Sequence, residues 1–348
     1  MLESHALVEA LADALRADGV DAPDLAPTAP PIVTGRSTLQ RLVDRSTGEQ
    51  YLVKQPIVVG GWVDTEDVLT AADQYAALEL AHLWQHGEDR HAVVRPVAFL
   101  AEQQALAMAW APGRTVLQVI HRAPVDPRAA RLALRAAGDF LRRFHRHGRR
   151  PDDRTTLAAP AAEVLELAAG PLQAAGLRVP VEVTAAVALV SDRAETHARA
   201  LLHGDYEPSN LIVRRPGEVV MLDPLLSTEG PAVDDVARFL TVLSSDSVFL
   251  AGVVLPPLRR LRRRLESDFR TAYGIGDSEL LELRLLKQHL LRWLRRRENT
   301  RLRGVPVLRD ARALLIDAHM RALLLESAAR LTKAAGQRAG GRSSPQPS

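Results

Sequence analysis

Apolar positions in this chain repeat with a period near 3.6 in some stretches and near 2 in others, and the changes of period divide it into elements. Leu7, Leu11 and Leu15 share one face of a helix expected over 1–18. A proline-rich link follows over 23–31. Short apolar runs at 32–34, 39–44 and 50–54, with the turn Ser46-Thr47-Gly48-Glu49 before the third, predict a β meander. A helix is expected over 65–85, capped by Asp64 or Thr65, with Leu69, Ala76, Leu80 and Leu83 inward. The runs 93–100 and 105–110 read as two more strands. Beyond them helical spacing dominates, over 116–121, 128–147, 161–169, 183–200, 280–294 and 309–335, while 149–160 reads as a polar loop. One hairpin interrupts the helices, with 211–213 and 219–222 flanking Arg214-Arg215-Pro216-Gly217-Glu218. Residues 336–348 are rich in Gly, Ser and Pro and are expected to be disordered. This pattern predicts an α+β chain divided into 1–30, 31–110, 111–335 and 336–348.

The hairpin carries the chemistry. His203-Gly204-Asp205-Tyr206-Glu207-Pro208-Ser209-Asn210 precedes it, and Asp223 follows it, thirteen residues after Asn210. Gly204 and Pro208 break regular structure, so Asp205 sits in a loop. A hairpin returns its far end to its start, so Asp205, Asn210 and Asp223 are expected to converge. Phosphoryl transfer needs one carboxylate to take or orient the proton of the attacking hydroxyl. It also needs Mg²⁺, held by a second carboxylate and an amide oxygen. Mg²⁺ favours hard oxygen ligands and takes one or two carboxylates from a protein. Asp205 fits the base role, and Asn210 and Asp223 the metal roles.

The spacing D-x-x-x-x-N matches the kinase catalytic loop, with Gly in place of Arg after the His. In its His-Gly-Asp form it resembles the aminoglycoside phosphotransferase-like, or small-molecule kinase, family of the protein-kinase-like fold. Gly230-Pro231-Ala232-Val233-Asp234-Asp235-Val236-Ala237 resembles that family's G-x-x-x-x-D-[LV]-A stretch. Its Asp caps and braces the helix behind the catalytic loop; Asp235 is the counterpart, with Asp234 the alternative. The resemblance implies a two-lobed fold, with a small β-rich N-lobe and a mostly helical C-lobe. It implies ATP or GTP as co-substrate with Mg²⁺, and a small hydroxylated acceptor such as a sugar, an amino alcohol or an antibiotic.

Further residues take roles by the same resemblance. Lys54 would contact the nucleotide phosphates; the competing reading is a surface lysine on an edge strand. The hairpin Thr34-Gly35-Arg36-Ser37-Thr38-Leu39 lacks G-x-G-x-x-G, but Ser37 and Thr38 with their N–H groups could cover phosphates. Glu79 is named as the helix acid for Lys54, with Asp73 one turn earlier; a solvated glutamate is the alternative. Met108-Ala109-Trp110-Ala111-Pro112-Gly113-Arg114-Thr115 resembles the hinge between lobes, with backbone at 109–111 meeting the purine. Met108 belongs to that hinge, and Trp110 lines the purine slot or packs in the core. His145, ending the helix over 128–147, is expected to be structural. Asp223 is followed by Pro224 rather than Phe-Gly, and no A-P-E-like anchor follows, which argues against a protein kinase. Two other classes compete: a catalytically inactive kinase-fold nucleotide-binding or scaffold protein, and metal-assisted hydrolysis by the same acids.

Composition narrows the choice. With 47% apolar residues the chain can bury a sizeable core. It has no cysteine, which excludes disulfides, thiolate catalysis and Cys-based zinc sites and fits a reducing, cytoplasmic setting. Neither a signal peptide nor a transmembrane segment is expected. Only Lys54, Lys287 and Lys333 are lysines among the 45 lysines and arginines, so a lysine inside a strand stands out. Residues 257–303 hold fourteen Lys or Arg and six acids. They read as a solvated helix face, as a site for an anionic substrate, or as a surface for nucleic acid or membrane. No nucleic-acid module accompanies them, so no nucleic-acid partner is expected. The basic balance argues against a polycationic aminoglycoside acceptor. Helix 280–294 is apolar on most faces and so largely buried, which would turn Lys287, His289 and Arg292 into a cavity. The acceptor's identity, the choice of purine and the oligomeric state are not encoded in any readable motif.

Overall fold

Tyr51 and Val53 turn one face of the strand Gln50–Pro56 into a core, each 1% exposed, while Leu52 and Lys54 take the other face by the period of two. That strand is the centre of an antiparallel sheet in the order Leu25–Pro27, Ser37–Asp44, Gln50–Pro56, Ala105–Ala109, Pro96–Leu100, with Ile32–Val33 also on Ser37–Asp44. The structure, a computed structural model, describes residues 4–34, 37–57, 69–85, 91–157, 160–191, 195–226, 229–276, 278–301 and 306–341. It divides into two units, Met1–Arg114 with Asn210–Ser227, and Thr115–Ser209 with Thr228–Ser348.

In the first unit the helix Ser4–Ala17 seats Leu7, Leu11 and Leu15 in the core that Leu42, Tyr51, Val53 and Ala107 share. Each such fully buried side chain contributes about 1.5–3 kcal/mol. Residues 4–30 therefore do not stand apart, and the proline-rich link contains a strand, Leu25–Pro27, in register with Leu42–Asp44. A second helix runs Ala71–Trp84, and Thr70 caps it through a capping box with Asp73, so of the expected 65–85 the described residues 69, 70 and 85 lie outside it. The cap candidates Asp64 and Thr65 lie outside the described residues. Its inward face is Ala71, Ala77, Leu78 and Ala81; Leu80 and Leu83 are exposed. The hairpin Leu211–Arg215 and Glu218–Met221 belongs to this unit, because Glu218–Met221 pairs in parallel with Ala92–Val93.

The second unit is mainly helical. Asp126 caps the helix Pro127–His147, whose Pro occupies the first turn. That helix packs closely on Pro256–Tyr273: a Cβ on Gly138 would lie 2.4 Å from the Phe269 carbonyl oxygen. Phe269 in turn stacks on Phe239 at 4.2 Å between ring centroids. The long helices Glu279–Arg301 and Pro306–Gly341 build a separate core from Leu286, Leu290, Trp293, Met320, Leu324 and Leu331.

Three expectations fail here. Residues 149–157 form a strand rather than a loop, paired with Glu195–Leu201. The expected helix over 183–200 is a shorter helix, Val181–Ala188, followed by that second strand, which also pairs with Glu229–Pro231. The final helix continues to Gly341, so 336–341 is ordered; 342–348 lie outside the described residues. No single described helix is long and apolar enough to cross a membrane.

Candidate active site

Lys54 sits on an interior strand, in register with Leu39 on one side and Leu106 on the other, which rules out the edge-strand reading. Its ammonium lies 3.0 Å from the Asp223 carboxylate, with the side chains 14% and 28% exposed. The hairpin brings Asp223 there. Leu211 is opposite Met221, and Leu222 N–H donates to the Asn210 carbonyl at 2.8 Å, so Asn210 and Asp223 flank the same end of the hairpin as expected. Asp223 has φ of 49°, a left-handed conformation uncommon outside glycine but accessible to Asp. Strain of this kind costs about 1–3 kcal/mol and collects at functional sites.

Other expected nucleotide contacts are placed less simply. Glu79 does not reach Lys54: it is exposed and bonds the Tyr75 hydroxyl one turn back, which with burial pushes that phenol up to about 12. Asp73 serves the capping box at Thr70. Both fail for the same reason: the helix turns Ala77, Leu78 and Ala81 inward and leaves the acids on its outer side. Ser37 is buried, with its hydroxyl 3.1 Å from the Thr34 hydroxyl, and Thr38 pairs with Gln55 and Val33; Gly35 and Arg36 lie outside the described residues. Met108 is buried on the strand face that carries Lys54. The Ala109 N–H donates to Arg95 O at 2.9 Å and the Trp110 N–H to Gln50 O at 2.8 Å, so those two donors are used within the unit. The Trp110 ring packs under the Arg41 guanidinium at 4.2 Å. Gly113 has φ of 146°, and a Cβ there would lie 2.4 Å from the Val213 carbonyl oxygen, so only glycine fits.

The second unit holds the loop with Asp205. Asp235, 2% exposed, accepts from the His203 N–H at 2.7 Å and the Gly204 N–H at 3.0 Å, and its carboxylate meets His145 Nε2 at 3.0 Å. The loop can aim both N–H groups at one carboxylate because Gly204 adopts φ of 80°. Burial opposes ionisation of Asp235, but the hydrogen bonds and charge of His145, with His203, outweigh it and hold the carboxyl below its ordinary range. The brace is therefore on the loop; the helix Val233–Ser244 has Ala232 at its N-cap and no side-chain cap, which corrects the capping half of the expectation. Asp234, the alternative, lies 2.9 Å from Arg284 instead. His145 is structural as expected, its other ring nitrogen 2.9 Å from the Tyr273 hydroxyl. Tyr206 is fully buried and donates to Ala137 O at 2.7 Å; burial and the Asp235 charge push its phenol far up, so it stays a neutral donor.

Asp205 itself is half-buried. Its N–H donates to His203 Nδ1 at 3.2 Å, and its carboxylate accepts from Arg238 Nη2 at 2.5 Å. Arg238 also reaches Glu207 at 3.2 Å. Burial works against the Arg238 charge, but Asp205 and Glu207 outweigh it and hold the guanidinium above its ordinary value. Neither Arg238 nor Glu207 was expected at the site. The available signal was the helical period: Arg238 stands three residues after Asp235, on the same face.

The basic stretch is mostly internal structure rather than a solvated face. Arg262 meets Glu266 and Glu326, Arg263 meets Glu326, Arg270 meets Glu282, and Lys287 and Arg284 both meet Glu163. His289 is buried and its Nε2 lies 2.9 Å from the Ser244 hydroxyl. Arg292 is half-buried, and its Nε has no hydrogen-bond partner among the described residues.

The donor set suits a hard divalent cation: Asp223 offers a carboxylate and Asn210 an amide oxygen from adjoining ends of one hairpin. The family model described as "Phosphotransferase enzyme family" matches residues 28–255. No curated protein matches the chain. Among solved structures it is similar to a putative aminoglycoside phosphotransferase from Ralstonia eutropha JMP134, with a TM-score of 0.56, 15% identity and coverage of 93% of this chain and 98% of that one. It is also similar to the amicoumacin kinase hAmiN in complex with AMP-PNP, Ca²⁺ and Ami, with a TM-score of 0.50, 16% identity and coverage of 91% and 96%. A thermostable mutant of aminoglycoside phosphotransferase APH(4)-Ia, in its apo form, gives a TM-score of 0.50, 11% identity and coverage of 90% and 98%. At these identities the likeness establishes the α+β kinase-like fold.

Proposed function

Because this chain belongs to the phosphotransferase enzyme family, we propose that it moves the γ-phosphoryl group of ATP or GTP onto a hydroxyl of a small molecule, with Mg²⁺. The observation that carries the reading is the pair Lys54–Asp223 at 3.0 Å on an interior strand. It sets a cation suited to nucleotide phosphates beside a carboxylate suited to a metal ion.

In this reading the acceptor oxygen forms a bond to the γ-phosphorus as the bond from that phosphorus to the β-bridging oxygen breaks. The electron pair leaves with the nucleoside diphosphate, and the hydroxyl proton passes to Asp205. Arg238 holds the Asp205 carboxylate in one orientation, and Asp235 fixes the loop backbone beneath it. Lys54 binds phosphate oxygens. Asn210 and Asp223 would hold Mg²⁺, which when bound neutralises charge on the phosphate oxygens. Proton acceptance by a positioned side chain is worth about 10²–10⁴ in rate.

The test is turnover of ATP and of GTP with Mg²⁺ across sugars, sugar phosphates, amino alcohols and aminoglycosides. Acceptor-dependent release of the diphosphate is expected with at least one class. Asp223→Ala should abolish Mg²⁺-dependent nucleotide binding. Binding unchanged in that variant removes Asp223 from the metal site, and a wild-type chain that binds neither nucleotide overturns the reading.

A further inference from the structure

The helix Val233–Ser244, whose first turns carry Asp235 and Arg238, ends on Ser244, where two other helices meet it. His289, from Glu279–Arg301, sets its Nε2 2.9 Å from the Ser244 hydroxyl. His319, from Pro306–Gly341, sets its Nε2 2.9 Å from the Ser244 carbonyl oxygen. A carbonyl oxygen only accepts, so His319 carries a proton on Nε2. The Ser244 hydroxyl donates to Thr241 O at 3.3 Å and therefore accepts from His289 Nε2. Burial, with the charges of Arg330 and Arg262, pulls His289 far below its ordinary value, so the ring is neutral. In a neutral imidazole with its proton on Nε2, Nδ1 is an acceptor. His289 Nδ1 is shut off from bulk solvent and has no hydrogen-bond partner among the described residues, in a residue 2% exposed. An acceptor buried in this way is costly unless something completes it.

The space for a partner is present. His289 lines a cavity of about 10 Å³ with Leu240, Arg262, Glu266, Arg270 and Arg330, which is room for one water molecule. Its Nε2 is taken by Ser244, so Nδ1 is the ring nitrogen left to that cavity. Glu266, Arg270 and Arg330 also line a larger cavity of about 530 Å³ beside the exposed Arg263, which gives water a way in. We infer that the inner cavity holds one ordered water that donates to His289 Nδ1 and accepts from the guanidinium wall. Arg330 spends Nε on Glu282 and Nη2 on Ser327, which leaves Nη1 as a donor. Water is required because the two sides of the cavity ask for opposite roles, and water can both accept and donate. A halide in the same place has no proton to give Nδ1. The water closes a network that ties the helix behind the Asp205 loop to both long helices of the second unit.

The test is a crystal structure of the full chain at a resolution that shows ordered water, with bromide-soaked crystals beside it, for the wild type and for His289→Phe. The expected result is a density peak about 2.7–3.2 Å from His289 Nδ1. It should be silent in bromide anomalous scattering. It should be lost in His289→Phe, which keeps a planar ring and removes both nitrogens. A wild-type cavity with no peak overturns the inference. So does a bromide signal at the peak, which would make the occupant an anion. So does a peak unmoved in His289→Phe, which would assign it to the ionic groups rather than to the histidine. A second measurement needs no variant and so holds even where His289→Phe fails to fold. Nitrogen-15 spectra of the full chain with labelled histidine, at neutral pH, report which ring nitrogen of His289 carries the proton. A proton on Nε2 alone is expected; a proton on Nδ1 removes the acceptor that the water is inferred to serve and overturns the assignment.

Discussion

Two polar regions stand in the second unit, one around Asp235 and one at Arg292. Around Asp235 every strong group has a counterpart: one carboxylate takes two backbone N–H groups and His145, and His145 turns its other nitrogen to Tyr273. Arg292 lacks that closure: it is half-buried, and its Nε, shut off from solvent, has no hydrogen-bond partner among the described residues. The closed cluster fixes the loop that carries Asp205. The comparison separates a network in which every strong group is matched from a side chain that burial alone would group with it.

The largest stability effect should come from the closed cluster. Asp235→Ala strands two buried N–H groups and His145 and is expected to cost about 3–5 kcal/mol, the range for breaking a buried charged network. Urea unfolding measures it, and a loss under 1 kcal/mol would mean that the cluster is not closed in the sense argued. The next effect is acid sensitivity. Burial, with nearby cations, depresses His289 far below its ordinary value, and burial depresses His319 to about 4. The unfolded chain binds these protons near pH 6.5 and the folded chain does not. The stability they protect is therefore complete above about pH 6.5 and falls as pH drops toward 4, by up to about 1.4 kcal/mol per pH unit for each histidine. Asp235 acts lower: its carboxyl is depressed, so its contribution holds above the ordinary carboxylate range and is lost only beneath it. Unfolding at pH 7, 5.5 and 4.5 should show the slope in the wild type and a shallower one in His319→Gln; identical slopes would contradict the assignment. Smaller still, Tyr273→Phe removes one hydrogen bond to His145 and should cost about 1 kcal/mol by the same urea measurement.

Placement was legible where it is local. Asp205, Asn210 and Asp223 are joined by one short hairpin, so spacing and turn residues were enough to bring Asn210 to the end of the hairpin that carries Asp223. Lys54 stood out because a lysine among apolar β residues is rare in an arginine-rich chain, and it lies on an interior strand beside Asp223. What failed was non-local. Residues 149–157 are polar and without period, and become a strand only by pairing with 195–201, some forty residues on. The run before that second strand is alanine-rich, and its helix propensity hid the turn out of the helix after Ala188. In the helix Ala71–Trp84 the inward side is largely alanine, so the leucines Leu80 and Leu83 misled the phase and, with it, the choice of Glu79. The basic stretch read as a solvated face because several of its acids, Glu163, Asp317 and Glu326, come from other helices.

The most direct measurement is single-turnover phosphoryl transfer by Asp205→Asn beside the wild type, with Mg²⁺-nucleotide affinity measured on both. The account predicts a fall in rate of about 10²–10⁴ at unchanged nucleotide affinity, since Asp205 takes the acceptor's proton and Lys54 and Asp223 serve the nucleotide. Turnover within tenfold of the wild type at the same affinity would contradict it.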